Sequence, residues 1–174
     1  MNEQEQILMD VLECRRVDLL VNKPTLNPSQ EKRLQEINFR RAQGEPLQYI
    51  LGSCEFMGLK FLVDGRVLIP RPETEILVEA VVEKLKNYAE RPIQILDLGT
   101  GSGNITISLA KAIPQARLTS VDVSAKAIEL AQKNAVIHVI DNKIQFVCED
   151  MFNFLTQFIA RTCIINPKVI LFFK

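Results

Sequence analysis

The feature that most constrains the fold is the regular alternation of two kinds of apolar segment in the second half of the chain. Short runs rich in Ile, Leu and Val alternate with segments in which apolar residues recur at helical spacing. The pattern predicts strands over Ile93–Leu98, Arg117–Val121 and Ile144–Val147, with helices over Ile105–Ala112 and Ala125–Ala135. Each helix returns the chain to the edge where the preceding strand began, so the strands lie parallel. The sequence therefore predicts an α/β fold with a Rossmann-like sheet.

A glycine-rich loop follows the first predicted strand and opens the next helix. It reads DLGTGSGN over residues 97–104. Glycine allows the chain to turn sharply there and lets a ligand lie against bare backbone. We expect a ligand site formed by Asp97, Gly99, Thr100, Gly101, Ser102 and Gly103.

Two classes of ligand compete for this loop, and their charges separate them. The dinucleotide fingerprint G-x-G-x-x-G/A requires Gly or Ala where Asn104 stands. The carboxylate of Asp97 would repel a pyrophosphate, but it can bind the ammonium of a methionine moiety directly or through water. S-adenosylmethionine carries an ammonium and a sulfonium and has no phosphate, so the charges favour this methyl donor over NAD. A glycine turn that binds no ligand is the remaining alternative.

The ends of the next two predicted strands extend the expected donor site. Asp122 follows the second strand, where a carboxylate can accept both hydroxyls of a ribose. Asp150 follows the third strand, where the adenine would lie, with Met151 beside it as an apolar contact. We therefore expect Asp122, Asp150 and Met151 to bind the donor together with the glycine loop.

The residues before the sheet are predicted to form helices and a hairpin. Apolar residues recur at roughly helical spacing over Glu3–Val21, and a polar helix is predicted from an N-cap at Ser29 through Arg41. Lys32, at the third helical position, leaves no capping box there. Two short strands around a tight turn are predicted over Cys54–Asp64.

The helix predicted after this hairpin begins with an unusual set of residues. Pro72 suits its first turn, and Glu73 complements the positive end of the helix dipole. Arg71 lacks such an explanation, because a cation ahead of a helix N-terminus is disfavoured. A functional loop is one explanation, and we expect Arg71 and Glu73 to contact a substrate.

Composition excludes several classes of protein. The 21 Lys and Arg residues balance the 21 Asp and Glu residues, so the basic footprint of a nucleic-acid binder is absent and no direct nucleic-acid partner is expected. The cysteines form no C-x-x-C pair and the sequence has one histidine, so no metal site is expected. The start MNEQEQ is unlike a signal peptide, and the apolar runs are too short to span a bilayer. These features predict a cytoplasmic protein without a membrane partner.

Three segments that occur in a fixed order carry a family resemblance. They are RAQGEPLQYILG at 41–52, IPRPETE at 69–75 and DLGTGSG at 97–103. Together they closely resemble the peptide-chain release factor glutamine N5-methyltransferases, the HemK/PrmC-type family. The glycine loop is shared by many methyltransferases, whereas the first two segments are much more specific. The resemblance covers nearly the whole chain, from about Glu5 to Pro167.

The resemblance implies a two-domain enzyme that uses S-adenosylmethionine. Its methyl acceptor would be the side-chain amide of the glutamine in the Gly-Gly-Gln motif of class 1 release factors. Residues 1–48 would form a partial helical domain that recognises the release factor, residues 49–72 a β-hairpin linker, and residues 73–174 a partial sheet with about strands one to four. Likeness decays after about Phe158, so we expect a fragment, or a frame-shifted or degenerate copy, of a longer enzyme that is truncated at both ends. The apolar end, Val169–Phe173, is expected to add a strand to the open sheet edge, which an oligomer would cover.

The resemblance also implies where the acceptor amide is held. The family motif Asn-Pro-Pro-Tyr, which ends the fourth strand, is matched here by Asn166 and Pro167, and the strand itself would occupy Ala160–Ile165. The side-chain oxygen of Asn166 and the carbonyl of Pro167 would accept both amide hydrogens and direct the nitrogen at the donor methyl. Asn166 would therefore face both donor and acceptor. Lys168 and Val169 replace Pro-Tyr, so the aromatic ring expected beside the glutamine is missing.

Two alternatives to this interpretation follow from the same residues. An N-methyltransferase that acts on an exocyclic amine of DNA or ribosomal RNA would use a similar motif, although the neutral charge and the segment at 69–75 argue against it. A protein that binds the donor without catalysis is the other alternative, and the replacement at Lys168 and Val169 favours it.

Overall fold

A computed structural model describes residues 2–21, 25–85, 93–162 and 169–173. The chain divides into two compact units, Met1–Ser53 and Cys54–Lys174. The predicted division into residues 1–48, 49–72 and 73–174 stays a prediction.

The first unit is helical in its described part. Its helices are α1 (Glu3–Leu12), α2 (Arg16–Val21), α3 (Pro28–Ala42) and α4 (Leu47–Leu51). They share a small buried core formed by Ile7, Val11, Ile37, Leu47 and Ile50. The helical pattern predicted over Glu3–Val21 is interrupted, because Glu13 adopts a left-handed conformation with φ 50° and ends α1.

The start of α3 corrects the prediction of an N-cap at Ser29. Asn27 is the N-cap, since its side chain accepts hydrogen bonds from the backbone N–H groups of Ser29 and Gln30, both at 3.0 Å. The side-chain oxygen of Gln30 in turn accepts a hydrogen bond from the Asn27 N–H at 3.0 Å, which completes a capping box. Pro28 therefore occupies the first helical position, where its fixed φ and missing N–H cost nothing.

The predicted hairpin is confirmed and is tied to the helix that follows it. Strands β1 (Ser53–Phe56) and β2 (Leu59–Leu62) flank Met57 and Gly58, whose φ angles are 52° and 68°. The carboxylate of Glu75 accepts a hydrogen bond from the Met57 N–H. Glu75 lies in the first turn of α5 (Pro72–Leu85), so one acidic residue of the 69–75 segment has a structural role.

The predicted parallel sheet is confirmed. Its strands are β3 (Ile93–Leu98), β4 (Ala116–Asp122), β5 (Ile144–Cys148) and β6 (Val169–Phe173), in the order β5-β4-β3-β6. All three pairings between these four strands are parallel. The connecting helices are α6 (Asn104–Ala112), α7 (Ala125–Ile137) and α8 (Met151–Thr162). The elements predicted between residues 93 and 147 all lie within two residues of their observed bounds.

The fourth strand lies later in the chain than the strand predicted over Ala160–Ile165. Residues 160–162 belong to the end of α8, and β6 is the described fourth strand. Helical spacing explains the difference, because Met151, Phe154, Leu155 and Phe158 all pack against the same face of the sheet. The strand predicted at Val169–Phe173 is confirmed. It pairs with β3 from Val169 opposite Gln94 to Phe173 opposite Leu98.

The central strand β3 buries both of its faces. Ile93 and Ile95 belong to the main core, together with side chains from α5, α6 and the hairpin. Leu96 and Leu98 belong to a second cluster that α8 covers. Burial on both faces is typical of parallel sheets and accounts for the continuous apolar run in this strand. Among the described residues, no helix is long and apolar enough to cross a membrane.

Two cysteines of the second unit, Cys54 and Cys148, are expected to differ strongly in reactivity. Burial raises the pKa of the Cys54 thiol to about 11, so only about a thousandth of it is thiolate at pH 8. Cys148 is exposed at the end of β5. We expect iodoacetamide at pH 8 to alkylate Cys148 at least about tenfold faster than Cys54, measured by mass spectrometry of the labelled peptides. Raising the pH to 10 should accelerate Cys54, and equal rates at pH 8 would contradict the structure.

Candidate functional site

The glycine loop lies at the carboxyl end of β3, against the end of β4. The backbone N–H groups of Gly99 and Thr100 both donate to the carbonyl oxygen of Val121, at 2.8 and 3.0 Å. The Gly103 N–H donates to the carbonyl oxygen of Thr100 at 3.0 Å, which closes the turn into α6. The loop is therefore held by the two central strands at the edge where parallel α/β sheets bind ligands.

Three glycines give this loop its shape. Gly99, Gly101 and Gly103 have φ angles of 79°, 56° and 78°, in the left-handed region that side chains disfavour. Gly103 is also tightly enclosed, because a Cβ atom there would lie 3.1 Å from the Cδ1 atom of Ile107 and 3.2 Å from the Cβ atom of Ala131. Glycine at this position is required by both the backbone and the packing between α6 and α7.

Asp97 lies beneath the loop and is 1% exposed. Its Oδ2 atom accepts hydrogen bonds from the hydroxyl groups of Thr100, at 2.8 Å, and Thr106, at 2.6 Å. A buried carboxylate needs such donors, since loss of water disfavours its charge. Thr100 thus connects the predicted acidic residue directly to the predicted loop.

Asp122 reaches the same loop from the end of β4. Its Oδ2 atom accepts a hydrogen bond from the Gly101 N–H at 2.9 Å, and its Oδ1 atom accepts one from the Ser124 N–H at 2.9 Å. The side chain is half-buried. Each carboxylate oxygen has a second lone pair, so both can accept a further hydrogen bond from a ligand. The structure therefore brings together Asp97, the glycine loop and Asp122.

Asp150 and Met151 follow the neighbouring strand, and both have structural partners. The Oδ1 atom of Asp150 accepts hydrogen bonds from the N–H groups of Phe152 and Asn153, at 3.0 and 3.1 Å, and so caps α8. Met151 packs into the cluster beneath that helix. The Glu149 N–H donates to the Asp122 carbonyl oxygen at 3.1 Å, which places this strand end beside Asp122. Contact of Asp150 and Met151 with the donor stays a prediction.

The structure describes two of the four predicted substrate-binding residues. Arg71 and Glu73 are exposed at the start of α5. The segment that leads to them passes close to the loop, because a Cβ atom on Gly101 would lie 3.9 Å from the Cβ atom of Val67. Asn166 and Pro167 lie outside the described residues and precede β6 in the chain.

Sequence reasoning missed several polar residues that support the site. Thr106 and Ser120 are buried and hydrogen-bonded to each other at 2.8 Å, beside Asp97. Asn134 is buried on the apolar face of α7, in register with Ala127 and Ala131. A polar residue on an otherwise apolar helical face is the signal that could have revealed Asn134 and Thr106.

An exposed apolar residue at the same edge was also missed. Val123 is 74% exposed and directly follows Asp122 at the end of β4. Its position directly after Asp122 is the signal that the sequence offered.

Two protein families match the chain. The family described as Methyltransferase small domain matches residues 72–169, more than half of the chain. The family described as PrmC N-terminal domain matches residues 2–52.

Individual relatives agree with these matches. The chain is 38% identical over 168 residues to the release factor glutamine methyltransferase of Thermodesulfovibrio yellowstonii, covering 97% of this chain and 60% of the relative. It is 50% identical over 114 residues to the protein of the same name from Chlorobaculum tepidum, covering 63% of this chain and 38% of the relative. The chain thus spans between about two fifths and three fifths of the length of these two relatives.

A solved structure supports the fold. The crystal structure of the SAM-dependent methyltransferase from Agrobacterium tumefaciens is similar to this chain with a TM-score of 0.54 and 28% identity. The similarity covers 63% of this chain and 35% of that chain. Together with the buried acidic residue beneath the glycine loop and the second at the adjacent strand end, these matches show that the chain belongs to the HemK/PrmC-type family of methyltransferases, whose methyl donor is S-adenosylmethionine.

Proposed function

We propose that this chain binds S-adenosylmethionine at its glycine loop and transfers the methyl group to a glutamine side chain of a peptide-chain release factor. The observation that carries the donor part is the pair of carboxylates at one sheet edge. Asp97 contacts the loop from below through Thr100, and Asp122 contacts it from the side through Gly101. Two acidic groups at the loop favour a cationic ligand over a pyrophosphate.

The residues at this edge fit the donor chemically. An ammonium group and two ribose hydroxyls need hydrogen-bond acceptors, and Asp97 and Asp122 are acceptors in their ionised form. The left-handed glycines leave backbone where side chains would otherwise stand, so a ligand can approach the loop closely. The exposed Val123 offers an apolar surface beside Asp122 for a flat ring.

The acceptor part of the proposal rests on the relatives and on the family resemblance. The relatives in Thermodesulfovibrio yellowstonii and Chlorobaculum tepidum are release factor glutamine methyltransferases by name. Residues 1–48 are proposed to recognise the release factor, with Arg71 and Glu73 as further contacts. The cytoplasmic location predicted from the sequence belongs to the same proposal.

The proposed role of Asn166 and Pro167 follows from the poor nucleophilicity of an amide nitrogen. Its lone pair is delocalised into the carbonyl group, and bound S-adenosylmethionine supplies the electrophilic methyl group. Acceptance of both amide hydrogens by the Asn166 side chain and the Pro167 carbonyl would orient the nitrogen and stabilise the positive charge it gains. No base is needed before the transfer, because the proton can leave after the nitrogen has become cationic.

A second candidate is a protein that binds the donor without transferring the methyl group. The observation that favours it is the position of β6, which follows Asn166 and Pro167 in the chain, whereas the family motif ends the fourth strand. The replacement of Pro-Tyr by Lys168 and Val169 also favours a protein that binds the donor without catalysis.

Transfer of tritiated methyl groups separates these candidates. The purified chain is incubated with labelled S-adenosylmethionine and a class 1 release factor, its variant with alanine in place of the Gly-Gly-Gln glutamine, or ribosomal RNA. We expect label in the release factor and none in the variant or the RNA. Donor binding without label in any acceptor would establish the second candidate, and label in RNA would identify a base N-methyltransferase.

A further inference from the structure

Buried hydroxyl groups connect Asp97 to the interior of the sheet. Asp97 on β3 lies directly opposite Ser120 on β4 in the parallel ladder. Thr106, in the first turn of α6, lies between them: its hydroxyl contacts the Asp97 Oδ2 atom at 2.6 Å and the Ser120 hydroxyl at 2.8 Å. Thr106 and Ser120 are both 0% exposed, so water does not compete for these hydrogen bonds.

In its ionised form Asp97 fixes the direction of every hydrogen bond in this chain of groups. An ionised carboxylate only accepts, so Thr100 and Thr106 must both donate to it. A threonine hydroxyl has a single hydrogen, so Thr106 can only accept at its contact with Ser120, and Ser120 must donate there. The three hydroxyl groups are therefore aligned toward one negative charge, an arrangement in which each hydrogen bond strengthens the next.

We propose that Thr106 is a positioning residue for donor binding, and that Ser120 acts through it, by holding the Asp97 carboxylate ionised and in one orientation under the loop. Rotation of the carboxylate would break two hydrogen bonds at Oδ2. The consequence would fall on the ammonium of the methionine moiety, which is the part of the donor that the proposed site assigns to Asp97. This inference rests on the proposed donor site and adds residues that do not touch the ligand themselves.

The choice of ligands makes the inference testable. 5′-Methylthioadenosine shares the adenosine of S-adenosylmethionine and carries the methyl-bearing sulfur as a neutral thioether in place of the sulfonium. It lacks the amino-acid part, so it does not need Asp97. Thr106→Val removes the hydroxyl at nearly constant volume, and Thr106→Ser retains it. We expect Thr106→Val to weaken binding of S-adenosylmethionine about tenfold by calorimetry and to leave binding of 5′-methylthioadenosine unchanged. Thr106→Ser should bind both ligands as the unmodified chain does.

Ser120→Ala tests whether the three groups act as one chain. We expect it to weaken binding of S-adenosylmethionine about threefold in the unmodified chain and to have no further effect in the Thr106→Val variant, because the hydrogen-bonded connection to Asp97 through Thr106 is then gone. Equal loss of both ligands in Thr106→Val, or a full effect of Ser120→Ala in both backgrounds, would overturn the inference. Unchanged binding of S-adenosylmethionine in Thr106→Val would also overturn the inference, but it would leave the proposed donor site intact. If the unmodified chain binds neither ligand, the proposed function itself fails.

Discussion

Asn134→Ala is expected to lower the free energy of unfolding of the second unit by about 3 kcal/mol. The Asn134 side chain donates to the carbonyl oxygens of Leu62 and Ser102, at 3.0 and 2.9 Å, and accepts from the Leu62 N–H at 2.8 Å. Alanine would leave these three backbone groups without this partner, and each buried unsatisfied group costs on the order of 1–3 kcal/mol. The same residue joins the end of the hairpin to the glycine loop, so donor affinity should fall as well.

The urea midpoint of unfolding, followed by circular dichroism, measures this effect. Asn142→Ala is the matched control, because Asn142 is exposed in the short 3-10 turn Asp141–Lys143. We expect the control to lie within about 0.5 kcal/mol of the unmodified chain. Equal midpoints for the two variants would show that Asn134 does not link the hairpin to the loop.

Gly103→Ala is expected to destabilise the second unit by about 2–4 kcal/mol and to abolish donor binding. Alanine would have to adopt φ 78°, and its Cβ atom would meet Ile107 and Ala131 at 3.1 and 3.2 Å. The loop must shift to relieve these contacts, and the shift moves the backbone that lies between Asp97 and Asp122. Thermal unfolding and titration with S-adenosylmethionine measure the two effects.

Two other glycines separate the backbone cost from the steric cost. Gly58 has φ 68° but open space around its Cβ position, so Gly58→Ala should cost only about 1 kcal/mol. Gly65 has open space and no left-handed φ, so Gly65→Ala should change stability by less than about 1 kcal/mol in either direction. If Gly103→Ala lowered stability no more than Gly58→Ala does, the loop would not be closely packed against α6 and α7.

Most of the sheet could be predicted from the sequence because its signals are local. The apolar run of β3 and the helical spacing of α6 and α7 each lie within one segment. The proximity of Asp97 and Asp122 could also be predicted, since each residue lies at the carboxyl end of one of two adjacent parallel strands. The hydrogen bonds that connect them to the loop, from Thr100 to Asp97 and from Gly101 to Asp122, are known only from the structure.

Other features depended on contacts that the sequence alone does not contain. The sequence pattern predicts the N-cap of α3 at Ser29, whereas in the structure Asn27 is the N-cap and forms a capping box with Gln30. The carboxylate of Asp150 caps the start of α8, a contact that the sequence analysis does not predict, and its contact with the donor stays a prediction. The hydrogen bond between Thr106 and Ser120 depends on the packing of α6 against β4, which no local pattern indicates.

Binding of S-adenosylmethionine to the purified chain tests the central claim most directly. Calorimetric titration of the unmodified chain should give saturable binding of S-adenosylmethionine and none of NAD. Asp97→Asn should weaken that binding by about 10- to 100-fold, because the ammonium loses a charged hydrogen-bond partner while Thr100 and Thr106 keep an oxygen to donate to. Asp141→Asn, at an exposed position, should have no effect. Binding of NAD, or equal affinity of Asp97→Asn and the unmodified chain for S-adenosylmethionine, would contradict the assignment of this loop as a methyl-donor site.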